Sequence, residues 1–278
     1  MSEHPSTPGR PEIWIDGHVH TEFSWDAPHG DMEATCRRAV EIGLPAIAFT
    51  EHADYVQGVH EGLRPLDTLG YVDELERCRG QFPDLRILAG VELGEPHRYP
   101  AEVAKALSEV EPDRILGSVH VAWWQNRLMD GSQIQRIPVA DATEFERAHL
   151  EETLRLVESD APFQVLAHLD YPKRYWPHDQ LPFREEDFEE ELRVVLRALV
   201  RREGVLEVNT TRGIEHRRGL CPGPTTLRWW HQEGGRALAF GSDSHAPALI
   251  AAGFREAGEV AVAAGFHPSD DPAGYWLR

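Results

Sequence analysis

Lysine is almost missing from this chain. Lys105 and Lys173 are its two lysines, so arginine carries nearly all of the positive charge, a bias that base composition explains as readily as function. A basic excess is missing too: 28 Lys and Arg face 47 Asp and Glu, for a formal charge of −19. That balance argues against general binding of nucleic acid or anionic membranes, whose expected footprint is a basic face. It also repels a phosphorylated substrate unless cations sit locally at the site. Cysteine is scarce; Cys36, Cys78 and Cys221 are odd in number and have no C-x-x-C spacing. Free thiols in a reducing cytoplasm fit that pattern better than disulfides or a thiolate metal site. No apolar run approaches the roughly 18 residues of a membrane span. Residues 1–11 are polar, contain proline and lack an apolar centre, which excludes a secretory signal and predicts a flexible tail. No stretch rich in Gly, Ser or Pro divides the remainder, so residues 12–278 are expected to form a single domain.

What is present is alternation. A hydrophobic fraction of 41% supplies a sizeable core, and α/β barrels of about 200–250 residues often form one unit. Apolar strands are predicted at residues 14–19, 45–50, 85–91, 114–119, 163–167, 204–208 and 236–240. Helices are predicted at 31–42, 68–81, 100–110, 143–159, 185–202, 225–233 and 248–264. Asp31 supplies an N-cap and Gly43 a stop for the first helix. Seven strand-then-helix units imply parallel pairing. Each strand ends in a polar residue of the metal-ligand type: His18 and His20, His52, Glu92, His120, His168, Asn209, then Asp243 and His245. Strand ends of a parallel barrel gather on one face, where catalytic groups collect.

On a strand, residues i and i+2 share a face, so His18 and His20 aim two imidazoles at one point. Asp26 reaches the same mouth from a loop. Together with His52, Glu92, His120, His168, Asp243 and His245, these are six imidazoles and three carboxylates, far more than one tetrahedral ion uses. The supply suits two or three divalent ions, with Glu92 a candidate bridge; Zn, Mn and Fe all accept such ligands.

The motifs Asp16-Gly17-His18-Val19-His20-Thr21, Phe49-Thr50-Glu51-His52, Gly90-Val91-Glu92, Gly117-Ser118-Val119-His120, Ala167-His168-Leu169-Asp170, Glu207-Val208-Asn209-Thr210 and Gly241-Ser242-Asp243-Ser244-His245 occur in this order. With them the chain resembles the PHP-domain (polymerase and histidinol phosphatase) proteins, and within these the histidinol-phosphate phosphatases, from Asp16 to about Phe266. The resemblance implies a distorted seven-stranded β/α barrel with its metal site at the C-terminal ends of the strands. It implies that His18, His20, Glu92 and Asp243 hold one metal, that Glu92, His120 and His168 hold a second, and that Asp26, His52 and His245 hold a third. The implied reaction is hydrolysis of L-histidinol phosphate, a step of histidine biosynthesis, by attack of a metal-bridging hydroxide, with Glu92, Asp243 and His245 catalytic. Two metals about 3.5–4 Å apart can lower the pKa of a shared water and clamp a phosphoryl group. Lys173, Arg174, Asn209 and Arg212 are the implied phosphate-binding residues. The leaving-group proton is open among His216, His178 and a metal-bound water. Glu51 stands where the family usually has Asp, Ala167 for the usual Gly and Ser244 for the usual Ala; the longer Glu51 is expected to alter the surroundings of His52.

Other residues are weighed against ordinary packing. Trp123 and Trp124 either wall the pocket or pack. Trp229 and Trp230 are expected in core and shell. His4, His60, His149, His231 and His267 are expected at the surface, and Arg217 and Arg218 are as readily solvated as phosphate-binding. Three rival readings remain. One is the same chemistry on another small ester, a nucleotide or sugar phosphate. The second is an amidohydrolase-type C–N hydrolase; many use a bridging carbamylated lysine at a strand end, where neither lysine falls. The third is a catalytically silent metal-binding module.

Overall fold

The computed structural model describes residues 13–177, 181–211 and 219–278. In chain order its elements are β1 (Ile15–Val19), α1 (Met32–Ile42), β2 (Ala46–Ala53), α2 (Thr68–Gln81), β3 (Arg86–Gly94), α3 (Pro100–Val110), β4 (Arg114–Ser118), β5 (Val121–Trp124), β6 (Arg127–Asp130), α4 (Val139–Glu158), β7 (Val165–Leu166), α5 (Glu189–Arg201), β8 (Val205–Asn209), α6 (Pro224–Gln232), β9 (Ala237–Gly241), α7 (Phe254–Ala263) and β10 (Trp276–Leu277). The main sheet runs β1-β2-β3-β4-β7-β8-β9-β10. Among the described residues it therefore has eight strands where seven are expected: β1, β2, β3, β4, β7, β8 and β9 pair in parallel, and the short β10 adds to β9 antiparallel. The sheet curls so that its two sides meet at the ends of β1 and β9. There Val19 bridges Ser244, and the His20 and Asp243 amides each donate across the seam at 2.8 Å, to Ser244 O and His18 O.

The local signals act as physical chemistry dictates. Asp31 caps α1 by accepting from the Ala34 amide at 2.7 Å, and Gly43 ends the helix with φ 73°. Strands β2 and β3 run past their predicted ends, because pairing continues through His52↔Glu92 and Ala53↔Leu93. Polar residues stay in the ladder there, since their side chains face an interior that solvates them. The polar insertion after His120 is instead the hairpin β5–β6. Trp123 on it is 54% exposed and walls nothing, whereas Trp124 is buried against the edge of Phe145. The expected last helix is interrupted: Ala251 and Gly253 both take positive φ, and α7 starts only at Phe254.

Outside the sheet, α1 and α2 bury Met32, Cys36, Tyr71 and Leu75 against Ile47 and Phe49, while α4, α5 and α6 bury Phe145, Leu156, Leu196 and Trp230. Each such side chain is worth about 1.5–3 kcal/mol. The cysteines are free and buried. Among the described residues no helix is long and apolar enough to cross a membrane.

Two of the expected surface histidines are not at the surface. His60 lines a cavity treated below. His149, on α4, is buried and pairs its Nε2 with Val119 O at 2.9 Å, beside the strand end that carries His120. Among the rest, His231 packs edge-on against Phe266, His267 is exposed, and His4 lies outside the described residues. Burial pushes the His149 pKa down from 6.5 to about 4. A histidine held neutral in the fold takes up its proton more readily when unfolded, so it favours unfolding as pH drops below 6.5, and this loss levels off near pH 4. His149→Gln, which can keep a donor to Val119 O, is expected to flatten the fall in stability between those pH values. The recovered stability should reach at most about 3 kcal/mol at pH 4, read by denaturant titration at several pH values. Parallel pH curves for both proteins would refute the assignment.

Candidate metal centre

The centre is assembled from strand ends around one carboxylate. Glu92 lies inside β3 and is fully buried. Its Oε2 is 3.1 Å from His18 Nε2, 3.3 Å from His20 Nε2 and 3.2 Å from His52 Nδ1. Its Oε1 is 3.2 Å from His120 Nε2 and 2.7 Å from His168 Nε2. The i, i+2 placement of His18 and His20 brings their Nε2 atoms within 3.0 Å of each other. Asp243 Oδ1 closes the same side at 3.4 Å from His20 Nε2. Asp26 forms the outer edge, with Oδ1 3.4 Å from His52 Nε2 and Oδ2 3.0 Å from His245 Nε2. His52 thus faces Glu92 with one ring nitrogen and Asp26 with the other.

Backbone geometry is bent to serve this convergence. His168 and Asp243 both take positive φ, 23° and 55°, a conformation that costs a non-glycine residue about 1–3 kcal/mol. Gly241 is needed for a different reason. A Cβ there would lie 2.2 Å from His18 Cβ and 2.6 Å from Glu207 Oε1, so only glycine lets β9 pass so close to β1.

A further ring of groups, not picked out as site residues from the sequence, orients the imidazoles. Glu207 Oε1 takes His18 Nδ1 at 2.7 Å, while its Oε2 accepts from the His168 amide and from Asn209 Nδ2. Asp54 lies 3.3 Å from His120 Nδ1 and 3.4 Å from His52 Nδ1, and accepts from Trp25 Nε1 at 2.8 Å. Glu95 accepts from the amides of His120 and Val121. Glu51 does not touch His52. It binds the Thr21 amide and hydroxyl and Ser24 Oγ, and that same Oγ accepts from the His52 amide at 3.0 Å. The longer carboxylate at residue 51 therefore fixes the loop after β1, and acts on His52 only through Ser24.

Charge and burial pull against each other here. Burial alone would raise the Glu92 pKa, but His18, His52 and His120 outweigh it and hold the carboxyl well below the usual range. Asp54, also against burial, is drawn down to about 2 by His52 and His120. Burial would lower His18, yet Glu207, Glu92 and Asp243 hold it well above the ordinary histidine range. His168 goes the other way, down to about 4, because burial dominates. Glu95 is pushed up to about 7 by burial.

These residues fit divalent cations on the chemistry of the donors. The Glu207 carboxylate can only accept, so His18 presents Nδ1–H to it, and the proton that the surrounding carboxylates favour on Nε2 is the one a cation would replace. His20 Nδ1 is engaged by Ser24 Oγ at 3.0 Å, which turns its Nε2 toward His18. The two Nε2 atoms, with the oxygens of Glu92 and Asp243 beside them, call for positive charge between them, which a proton or a divalent cation supplies. Among the described residues, four triplets have donor atoms within 4.8 Å of one another: His18, His20 and Asp243; His18, Glu92 and His168; His52, Glu92 and His120; and His20, His52 and His245.

The centre opens into a cavity of about 160 Å³, whose wall adds Trp25, His60, Asp130, Tyr171, Arg174 and Tyr175. Arg174 brings its Nη1 to 2.5 Å from Asp243 Oδ2 and lies over the Tyr171 ring. Two expected phosphate ligands are placed elsewhere. Lys173 is buried, 3.1 Å from Asp170 and donating to Leu220 O at 2.6 Å, so its ammonium is spent inside the fold rather than at the cavity wall. Asn209 is held between Glu207 and Asp243 and accepts from the Thr211 amide; it braces the ligand shell and does not line the cavity. Arg212, His216, Arg217, Arg218 and His178 lie outside the described residues.

Comparison with known proteins follows the same lines. The PHP domain family model matches residues 16–211. Histidinol-phosphatase from Lactococcus lactis is 28% identical over 271 residues, covering 91% of this chain and 92% of that protein. A "Probable histidinol-phosphatase" from Thermotoga maritima is 27% identical, covering 87% and 88%. The crystal structure of the Lactococcus lactis histidinol phosphate phosphatase, complexed with Zn, L-histidinol and phosphate, superimposes with a TM-score of 0.75 at 24% identity over 91% of this chain and 94% of that one.

The ring-orienting role of Glu207 is directly testable. Glu207→Gln keeps the shape but removes the charge and turns one of the two accepting oxygens into a donor, so it cannot serve both His18 Nδ1 and the His168 amide. It should weaken divalent-metal affinity about 10–100-fold, measured by competition with a chelator, in protein whose circular dichroism is unchanged. Unaltered affinity would show that Glu207 is a packing residue only.

Proposed function

The chain belongs to the PHP domain family, and from that premise we propose that it is a metal-dependent phosphomonoesterase that cleaves L-histidinol phosphate to L-histidinol and phosphate. The observation that carries this reading is the buried Glu92 carboxylate, faced by five imidazoles, of which His52, His120 and His168 also line a small cavity with an arginine in its wall. A cavity of about 160 Å³ suits a small phosphate ester. The similarity to histidinol phosphatases over nine-tenths of the chain supports the choice of ester.

Two or three divalent ions are assigned to the centre, with zinc the first to test. His18, His20, Glu92 and Asp243 would hold one, Glu92, His120 and His168 a second, and Asp26, His52 and His245 a third. When bound, such ions supply an acidified water and a positive clamp for phosphoryl oxygens. The protein's own part is to place charges. Glu92 spans both sides of the centre, one oxygen to each. Asp243 and His245 face the substrate side, where Asp243 also steadies Arg174. The Arg174 guanidinium is a forked donor suited to the phosphate oxygens. Tyr171, packed on His120 and His168, excludes water behind the reacting group. The reaction belongs to amino-acid biosynthesis in the cytoplasm, and the partner is the ester itself.

Phosphate release from L-histidinol phosphate, set against a panel of sugar and nucleotide phosphates and measured with metal content, tests the proposal. The metal-replete protein should show its highest kcat/KM on L-histidinol phosphate. Glu92→Gln should lose bound metal and lower turnover together, by roughly 10²–10³-fold or more. A preference for another ester would overturn the substrate. Full activity of Glu92→Gln, or idleness on every ester, would overturn the hydrolase reading.

A further inference from the structure

The cavity wall carries groups of both signs. Arg174, beside Asp243 of the imidazole cluster, suits an anion. The same wall holds Asp130, the last residue of β6, which is only 4% exposed. The carboxylates Asp26, Asp54 and Asp243, which also line the cavity, each face imidazoles of the metal centre. Asp130 does not. Its Oδ1 accepts from the Ser132 amide at 2.7 Å, and its Oδ2 is 3.7 Å from His60 Nδ1, beyond hydrogen-bond reach. The β5–β6 hairpin sets its position: Asp130 pairs with Val121, and the Gly131 amide donates to His120 O at 2.8 Å. An oxygen of a buried carboxylate thus faces the cavity one residue pair from a cluster strand end. Around it the wall is aromatic, with Trp25 against His60 at 5.0 Å between ring centroids, and Tyr171 against Tyr175 at 5.6 Å.

A buried carboxylate flanked by aromatic faces is a receptor for an organic cation, through a charge-assisted hydrogen bond and ring quadrupoles. We propose that Asp130 is the specificity residue for the leaving alcohol: it binds a positively charged ammonium on the ester while Arg174 takes the phosphate. This rests on the hydrolase reading above and sharpens it. Substrates are then phosphate esters of amino alcohols, and sugar phosphates, which have no cation to offer, leave Asp130 buried and uncompensated. A site that must bury an unpaired charge discriminates more strongly than one that merely loses a contact.

The test compares L-histidinol phosphate with its amine-free counterpart, 3-(imidazol-4-yl)propyl phosphate, and with 4-nitrophenyl phosphate. Asp130→Asn and Asp130→Ser both keep an acceptor for the Ser132 amide and remove the charge. Either should lower kcat/KM for L-histidinol phosphate about 10–100-fold, mainly through KM, the scale of one hydrogen bond to a charged group. Activity on the two amine-free esters should persist, which also reports that the variants are folded and metal-loaded. If neither variant folds, the unmodified protein decides, by preferring the amine-bearing ester over its amine-free counterpart by a similar factor. Equal losses on all three esters, no loss on any, or no preference in the unmodified protein would overturn this inference and leave the hydrolase intact. An unmodified protein idle on every ester overturns both.

Discussion

An ionised carboxylate sealed from water needs positive charge or hydrogen bonds against it, and Glu92 is where, among the described residues, this chain gathers the most such groups on one carboxylate's two oxygens. Its two oxygens face five ring nitrogens drawn from four different strand ends and their loops. Uncompensated burial of such an ion costs several kcal/mol, and imidazoles whose outer nitrogens are tied to Glu207 or Asp54 offer it lone pairs as much as protons. Bound cations would resolve the conflict for both partners. Most other features near the centre either aim an imidazole or fix its tautomer.

The fold is the means by which residues 227 positions apart, from His18 to His245, reach one mouth. Parallel pairing puts all strand ends on one side. Closure between β1 and β9 brings the first and last motifs together, and the hydrogen bonds from His20 to Ser244 and from Asp243 to His18 join those motifs at the same place. Stability and site are therefore coupled at this seam. Gly241 exists for the approach, and the positive φ of Asp243 is strain held in place by its surroundings.

How much of this was legible in the sequence follows from the kind of signal each part leaves. Alternation of apolar runs with amphipathic segments located the parallel strands and all seven long helices, because period and capping residues such as Asp31 and Gly43 are local. The short antiparallel β10 and the β5–β6 hairpin were not legible; both are fixed by tertiary pairing, and neither carries a strong alternating run. The metal-type donors stood out because histidine at a strand end is unusual in series. Glu207 and Asp54 did not, since a carboxylate one or two residues from a ligand looks like any other acid until the ring it orients is in place. Lys173 shows the opposite failure: next to Arg174 in sequence, it turns inward to Asp170 while its neighbour turns to the cavity. Asp130 and His60, on a hairpin and a loop, acquire meaning only from what they face.

The central claim is that Glu92 joins the two sides of one multi-cation centre. Anomalous diffraction at the zinc absorption edge, from crystals of the zinc-loaded protein, addresses it without reference to any substrate. The account predicts ion peaks within bonding distance of both Glu92 oxygens, one on the His18 and His20 side and one on the His120 and His168 side. Peaks confined to other residues, with Glu92 touching no ion or with one ion on a single oxygen, would contradict it.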